Sequence, residues 1–589
     1  MPKFHDERIR MTATQSEPDT ATASWPPGLL RSLEYPEVPV GSILRAAVRR
    51  WGDRPAFIDH DVPLTFEEMG RRAHAVAGWL ADHGIGRGDV VAVHIPNCRQ
   101  YPPIYYGIML AGAVFSPTNP LLPAADLAAQ LSDAGAKLLV TWDQVLPFVR
   151  GALAQTPVQT VVVTGEAHIT DFAARLELED GDVDLAELLA GDGTDRHLDA
   201  DLDPAADLAH LAYTGGTTGV SKGVELPHRN VVTNVLQSAC WTSGSVPTLD
   251  EAGDVTVRQV VGEDEYPTRL GEARIVNLTP WFHAMGAIGY LNGMVMAGTT
   301  TVIHMRFDPV KYVEDAVRYE VTAIGGAPPV FVALLQVPGI EDADLSRVRG
   351  ISSGAAPLPV SLIERLKDLL PGAVIGEGYG LTEVTMMATG NPSFQSGVRK
   401  AGTVGVPIFD TEITIRPLGG GDPLPPGERG EVCIRGPQVM RGYAHRPEAT
   451  AESIDADGWF HSGDVGILDE DGYLSIVDRT KDMLLYKGYN VFPRELEEIL
   501  FGVPGVAGAA VVGRPDEEAG ELPVAYVVRT GDDAGAALTA ESVMASVNAK
   551  VTPYKRLRDV VFIDAIPVSA AGKVLKRELA AKEREKVGS

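Results

Sequence analysis

Cysteine is nearly absent from this chain: Cys98, Cys240 and Cys433 are the only three in 589 residues. No metal-ligand spacing links them, so the sequence argues against a disulfide framework and against a zinc site, and it fits a reducing compartment. Positive charge is also short, with 51 Lys and Arg against 79 Asp and Glu and a formal net charge of −28. Nucleic-acid binding needs clustered cations to displace counterions, so that class is excluded. An anionic ligand must instead be held by backbone N–H groups and a few placed cations. The first 24 residues contain no continuous apolar stretch and read as a loose tail, not a signal peptide. Ile275–Met305 lacks Asp, Glu, Lys and Arg and is long enough to raise the question of a membrane span. Asn277, Pro280, His283, Asn292 and the Thr299–Thr301 run interrupt it, and a buried strand–helix–strand passage explains it better. The final Val-Gly-Ser matches no peroxisomal or retention tag. The expected setting is cytosolic, without an integral membrane segment.

What is present is 45% hydrophobic residues, enough for a sizeable core, in alternating strand and helix patterns. Thr65-Phe-Glu-Glu68 reads as a capping box ahead of Met69, Ala73, Val76 and Leu80 at helical spacing, with Gly84 as the stop. Strands are predicted at Val90–Ile95, Thr160–Thr164, Leu208–Tyr213, Arg274–Leu278, Thr301–Ile303 and Val321–Ile324. Helices are predicted after His228, over Pro309–Tyr319, and from Ser361 with Glu364 as its box partner. Buried strands separated by helices imply parallel sheets covered on both faces. The acidic segment 181–204 reads as a surface connection, and 243–272 as a polar insertion without a legible role. Rising Gly/Pro density over 419–429, then short strands at Glu431–Arg435 and Tyr473–Val477, indicate a β-rich lobe. Pro493 at a first helical position leads Leu496, Ile499 and Leu500 into Gly502. Strands at Gly508–Val512 and Val524–Val528 complete a compact final ~100 residues, a plausible domain size.

The segment LAYTGGTTGVSKGVELPHRN, Leu211–Asn230, carries the chemistry. A strand runs into Thr214-Gly215-Gly216-Thr217-Thr218-Gly219, with Lys222 close behind. Glycines let backbone N–H groups approach phosphate oxygens, threonine hydroxyls add donors, and a lysine adds compact positive charge. It is not a Walker A loop, because Lys222 precedes Gly223 and no Ser or Thr follows the lysine.

This loop resembles that of the acyl-adenylate-forming superfamily: acyl-CoA synthetases, adenylation domains of peptide synthetases, and beetle luciferases. The resemblance runs from about Tyr35 to Arg577. The family loop usually has Ser where this chain has Gly215 and Pro where it has Ser221, and the Gly215 variant is similar to some fatty acyl-CoA ligases. GEGYGLTE, Gly376–Glu383, resembles the second signature. There the resemblance implies that Glu383, with Thr217, holds Mg²⁺ bridging the ATP phosphates, that Thr382 donates to the α-phosphate, and that Tyr379, flanked by Gly378 and Gly380, faces adenine. SSGAAPL, Ser352–Leu358, is similar to the turn lining the adenine and acyl pocket, which implicates Gly354, Ala355, Ala356 and Pro357. GWFHSGD, Gly458–Asp464, places Asp464 where the family's aspartate accepts both ribose hydroxyls, apt for an acceptor-only group. Ile476 is expected beside the nucleotide and Arg479 on its ribose and phosphate. Lys481 falls at the family's hinge, and Lys487-Gly488-Tyr489 at the loop that serves the coenzyme A half-reaction. PVSAAGKVLKREL, Pro567–Leu579, matches the C-terminal lysine motif with Lys573 in the catalytic position. His283, in PWFHAMG, and Met386 are expected to line the acyl pocket. So are Gly325 and Gly326, whose small size would leave room for a bulky acyl group.

The resemblance therefore implies an α/β protein: an N-terminal tail over 1–34, then a large adenylation domain over 35–480 with two α/β sheet layers and a β-rich lobe. A small mobile α+β domain over 481–589 would cap it. The implied activity is ATP-dependent ligation of a carboxylic acid to coenzyme A through acyl-AMP, with Mg²⁺ and release of pyrophosphate. A medium- or long-chain fatty acid leads, on the Gly215 variant. The alternative is an aryl or polycyclic acid of a specialised pathway, passed to coenzyme A or to a carrier protein in trans. A non-catalytic ligand sensor is weighed against by Thr217, Glu383, Asp464 and Lys573 being in place.

Overall fold

The computed structural model describes residues 24–214, 221–354, 358–569 and 574–588. Two large sheets dominate. The first has eight strands, in the order Gly442–Tyr443, Lys222–Pro227, Leu208–Thr214, Val114–Pro117, Val90–His94, Ala136–Trp142, Thr160–Thr164 and Asp182–Asp184. The second has nine, with Arg274–Asn277, Ala323–Gly326, Gly350–Ser353 and Val374–Tyr379 running parallel at its centre. A four-stranded antiparallel lobe (Glu412–Arg416, Arg429–Arg435, Phe460–Leu468, Leu474–Arg479) follows, then a five-stranded C-terminal sheet with its own core around Leu496, Leu500, Val511, Val527 and Val543. This is the expected α/β architecture, a large N-terminal region with a β-rich lobe and a smaller C-terminal one. The sheets pack through runs such as Val90–His94, nearly all buried, as strands covered on both faces must be.

Several local expectations shift. Thr65 Oγ1 does accept the Glu68 N–H at 3.1 Å, but the Glu68 carboxylate turns to Arg71 and Arg72, so only half of the capping box forms. The helix expected from Ser361 is Val360–Leu369 and has no side-chain cap, because Pro359 already supplies the extended backbone at its start (φ −58°, ψ 140°). The strand expected at Val321–Ile324 is Ala323–Gly326, since the Val321 N–H is still bonded to Ala316 O of the preceding helix.

Segment 181–204 is not a mere surface connection. Asp182–Asp184 is an edge strand paired parallel with Thr160–Thr164, and Leu185, Leu188 and Leu189 enter the main core. Its acidity misled, because Asp182 meets Arg150 and Asp184 meets His168. The 243–272 insertion folds as a hairpin, Ser245–Leu249 with Val255–Gln259, and its Asp250 and Asp254 clamp Arg45 and Arg49 of the helix Gly41–Trp51. Trp25 and Leu29, in the stretch read as tail, pack on the main core, with Trp25 edge-on to Trp241. The charge-free stretch folds as a strand, π-helical turns over Met285–Gly293, a short helix and the strand Thr300–Ile303. Among the described residues no helix is long and apolar enough to cross a membrane.

Candidate active site

The strands on either side of the expected phosphate loop pair antiparallel. Thr214 ends the strand Leu208–Thr214 and pairs directly with Lys222, the first residue of the strand Lys222–Pro227. Ser221 Oγ donates to Thr214 O at 2.5 Å, which ties the hairpin shut. Gly215, Gly216, Thr217, Thr218 and Gly219 lie outside the described residues, as do Ala355, Ala356, Pro357 and Lys573.

Lys222 does not stand alone. Its Nζ lies 4.6 Å from the centre of the Tyr443 ring, and the Tyr443 hydroxyl donates to Glu383 Oε1 at 3.0 Å. Tyr443 arrives on the short edge strand Gly442–Tyr443, opposite Val224. The sequence reading missed it, since Tyr443 lies 60 residues from Glu383 and belongs to no spacing pattern. Glu383 sits in the turn Thr382–Val384, and its carbonyl accepts Met440 N–H at 2.8 Å. The next residue, Thr385, holds a left-handed backbone (φ 67°) that a β-branched residue rarely adopts, retained by its hydroxyl on Gln438 O.

Burial pushes the Glu383 carboxyl above its ordinary value, opposed by its own backbone and by Tyr443. Among the described residues no cation is within ion-pair distance of Glu383, so a hydroxyl is its close compensation. A half-buried carboxylate without a cation is costly, and a hard divalent ion preferring oxygen ligands fits it.

The residues expected on the nucleotide side gather where parallel strands end. Gly326, Ser353 and Glu377 are register partners across Ala323–Gly326, Gly350–Ser353 and Val374–Tyr379, so Gly354, Gly378 and Tyr379 meet at the carboxyl edge, where open α/β sheets bind ligands. Tyr379 donates to Asp464 Oδ2 at 2.7 Å, and Arg479 Nε lies 3.2 Å from Asp464 Oδ1. Asp464 and Arg479 face each other across the lobe strands Phe460–Leu468 and Leu474–Arg479. Burial and Asp464 together keep the Tyr379 phenol protonated. Ile476, on the same strand as Arg479, packs against the main core and accepts Arg494 through its carbonyl. Gly380 is obligatory, because a Cβ there would stand 1.6 Å from Met386 O. Thr382 opens the Glu383 turn.

The acyl side departs from expectation. A Cβ at Gly325 would lie 2.0 Å from the Tyr290 hydroxyl, and one at Gly354 would lie 2.9 Å from Met285 Sδ. The room these glycines create is taken by side chains of the π-helical segment, not left for a bulky acyl group. Tyr290 Oη is 3.2 Å from Ser352 Oγ, and Met386 lies against Gly289 of the same segment. Gly326 backs onto Val330. His283 is exposed just before these turns.

Lys481 is exposed in the turn linking the lobe to the C-terminal sheet, with Asp482 N–H bonded to Arg479 O at 3.0 Å. Lys487 and Gly488, at φ 49° and 82°, form the tip of the hairpin Leu484–Tyr486/Tyr489–Val491, and Tyr489 stacks on Tyr554 at 4.8 Å. Lys487 bonds Ala519 O and faces Glu518, so this loop stays with its own sheet and does not join Glu383 or Asp464.

A lysine-bearing hairpin beside a half-buried carboxylate, across from an aspartate held by tyrosine and arginine, is the arrangement expected of an adenylate-forming enzyme. The comparisons agree. The AMP-binding enzyme model matches residues 44–444, and the AMP-binding enzyme C-terminal domain model matches residues 495–573. A long-chain-fatty-acid–CoA ligase of Bacillus subtilis (strain 168) is 31% identical over 577 residues, covering 96% of this chain and 98% of that one. The 4-coumarate–CoA ligase 3 of Oryza sativa subsp. japonica is 34% identical over 538 residues, covering 90% of each. The crystal structure of ATP-bound MatB from Rhodopseudomonas palustris superposes with a TM-score of 0.79 at 27% identity, over 93% of this chain and 99% of that one. The chain belongs to the AMP-binding enzyme family, on its acyl-CoA synthetase branch.

Proposed function

We propose that this acyl-CoA synthetase activates a compact, ring-sized carboxylic acid in preference to a long-chain fatty acid. The enzyme class draws on ATP, Mg²⁺ and coenzyme A; the choice of acid is our reading. The observation that carries it is Tyr290, whose hydroxyl stands 2.0 Å from where a Gly325 side chain would begin. Met285 against Gly354 supports the same reading, since both glycines face side chains of the π-helical segment. Tyr290, at Gly325, and Met386, at Gly289 of the same segment, are side chains suited to the face of a ring. Similarity to ligases named for a long-chain fatty acid and for 4-coumarate is compatible with either class.

In this reading the acid's carboxylate attacks the α-phosphate of ATP, forming acyl-AMP and releasing pyrophosphate. Lys222 and the hydroxyl loop around Thr217 hold the departing pyrophosphate. Glu383 and Thr217 would hold Mg²⁺, which supplies charge neutralisation at the phosphates. Asp464 accepts the ribose hydroxyls, Arg479 supports it, and Lys573 neutralises charge building between carboxylate and α-phosphate. Residues 481–589 would then turn about Lys481 and bring Lys487-Gly488-Tyr489 toward the site, so that the coenzyme A thiol attacks the acyl-AMP carbonyl and AMP leaves. We infer a cytosolic setting, with which three buried thiols free of disulfides are in keeping.

Pyrophosphate release against benzoate- and cinnamate-sized acids and saturated C12–C16 acids tests the reading. Faster turnover of the ring acids is expected, with Tyr290→Ala gaining activity toward the chains. Preference for C16 acid in the unaltered enzyme would refute it. Free coenzyme A as acceptor, against a phosphopantetheine carrier protein, is compared in the same assay.

A further inference from the structure

The lobe strands bring together three side chains that the adenylation chemistry does not use. Alternation along Arg429–Arg435 puts Glu431 and Cys433 on one face, and the antiparallel register sets His461 directly opposite Cys433. Cys433 Sγ is 3.5 Å from His461 Nδ1, and that nitrogen is 3.0 Å from Glu431 Oε2. All three donor atoms lie within 4.8 Å of one another. Tetrahedral bonds of about 2.0–2.3 Å require ligand atoms about 3.2–3.7 Å apart, so the sulfur and imidazole nitrogen already stand at that spacing and the carboxylate would shift by about an ångström.

The surroundings support the same use. Between Glu431 and Cys433 the pairing register shifts, and Gly463, at φ 70° in the displaced stretch, donates its N–H to Glu431 Oε1 at 3.1 Å. That bond leaves Oε2 aimed at the histidine. His461 Nε2 faces Asp455 Oδ2 at 3.6 Å, beyond hydrogen-bond length but on the side of the ring where a carboxylate would orient a metal-bound imidazole. Asp455 also pairs with Arg416 at 2.9 Å, which neutralises the nearest guanidinium. Cys433 is fully buried, while His461 and Glu431 keep 23% and 19% of their side chains exposed. The thiol forms the floor and the mouth opens to solvent, with access for an ion and a water as fourth ligand.

We propose that Glu431, Cys433 and His461 form a site for one thiophilic divalent cation of the Zn²⁺ class, separate from the Mg²⁺ position at Glu383. On binding, the S–H proton leaves to water as the sulfur–metal bond forms, and thiolate plus carboxylate balance the dication. The sequence argued against zinc because it offered no paired cysteines. Here the third ligand comes from a neighbouring strand 28 residues away. His461 shares that strand with Asp464, so an ion there braces the residue expected to hold ribose.

The test is Co²⁺ titration of the metal-free full chain, followed by its d–d bands and by thiolate-to-cobalt charge transfer. One equivalent with tetrahedral bands is expected, displaced by Zn²⁺ but not by Mg²⁺. Charge transfer should vanish in Cys433→Ala, which retains Cys98 and Cys240. Binding should weaken about tenfold or more in Glu431→Gln, a shape-conserving change that guards against misfolding. Charge transfer absent from the unaltered chain, persisting in Cys433→Ala, or unweakened binding in Glu431→Gln overturns the proposal.

Discussion

Tyr379 donates its hydroxyl to Asp464 at 2.7 Å, joining the end of a strand in the nine-stranded sheet to the four-stranded lobe. The proposed ribose acceptor is therefore oriented from both sides, by Tyr379 on one oxygen and Arg479 on the other. Asp464→Ala is expected to raise the KM for ATP about 10–100-fold, the range of hydrogen bonds to a charged group. Tyr379→Phe should raise it less, since Arg479 stays. ATP–pyrophosphate exchange measures both, and an unchanged KM in Asp464→Ala removes that residue from the nucleotide site.

Glu383 is expected to govern a pH limb. Burial holds its carboxyl above the ordinary range, and only the carboxylate form holds Mg²⁺, so Mg²⁺-dependent exchange should fall as pH drops through that raised value. Tyr443 donates to the carboxylate and lowers its pKa, so Tyr443→Phe should move the acid limb to higher pH. Glu383→Gln should erase the limb along with most exchange. Exchange at the unaltered rate in Glu383→Gln would remove that residue from the metal site.

Lys573→Ala is expected to cut adenylation by about 10²–10³, the cost of one pre-placed donor, while sparing thioester formation from supplied acyl-AMP. Stopped reactions started from acid plus ATP, or from acyl-AMP plus coenzyme A, separate the two. Equal loss in both contradicts the assigned role.

Glu377 links pH to stability. It is 7% exposed, accepts Leu358 N–H at 2.8 Å, and burial raises its pKa from 4.5 to about 7. Between those values the folded chain keeps a proton that the unfolded chain has released, so this group's contribution to stability falls as pH rises across the window. Glu377→Gln keeps the acceptor and loses the charge. Its Tm relative to the unaltered enzyme should be higher at about pH 8 than at about pH 5. An identical Tm difference at both pH values contradicts this.

Several residues that the sequence singled out come together as local pieces of the chain. Thr214 to Lys222 is one hairpin, Tyr379 to Glu383 one strand end and turn, and Asp464 and Arg479 face each other on adjacent strands. Spacing carries such information because backbone geometry converts it directly into position. Tyr443, Tyr290 and Met285 were not legible, since each reaches its partner only through packing between elements distant in sequence. Segment 181–204 misled for a related reason: acidic residues look solvated until Arg150 and His168 are brought beside them.

By itself, then, the sequence determined the alternation of strands and helices, the phosphate-loop composition and the family, because each is written in residue type and short-range order. Tertiary structure alone decided that the glycine spaces at Gly325 and Gly354 are filled, that Glu383 leans on a tyrosine, and that Cys433 meets His461 and Glu431. Those are questions of which surfaces touch, and strand register and core packing settle them only once the whole chain has closed.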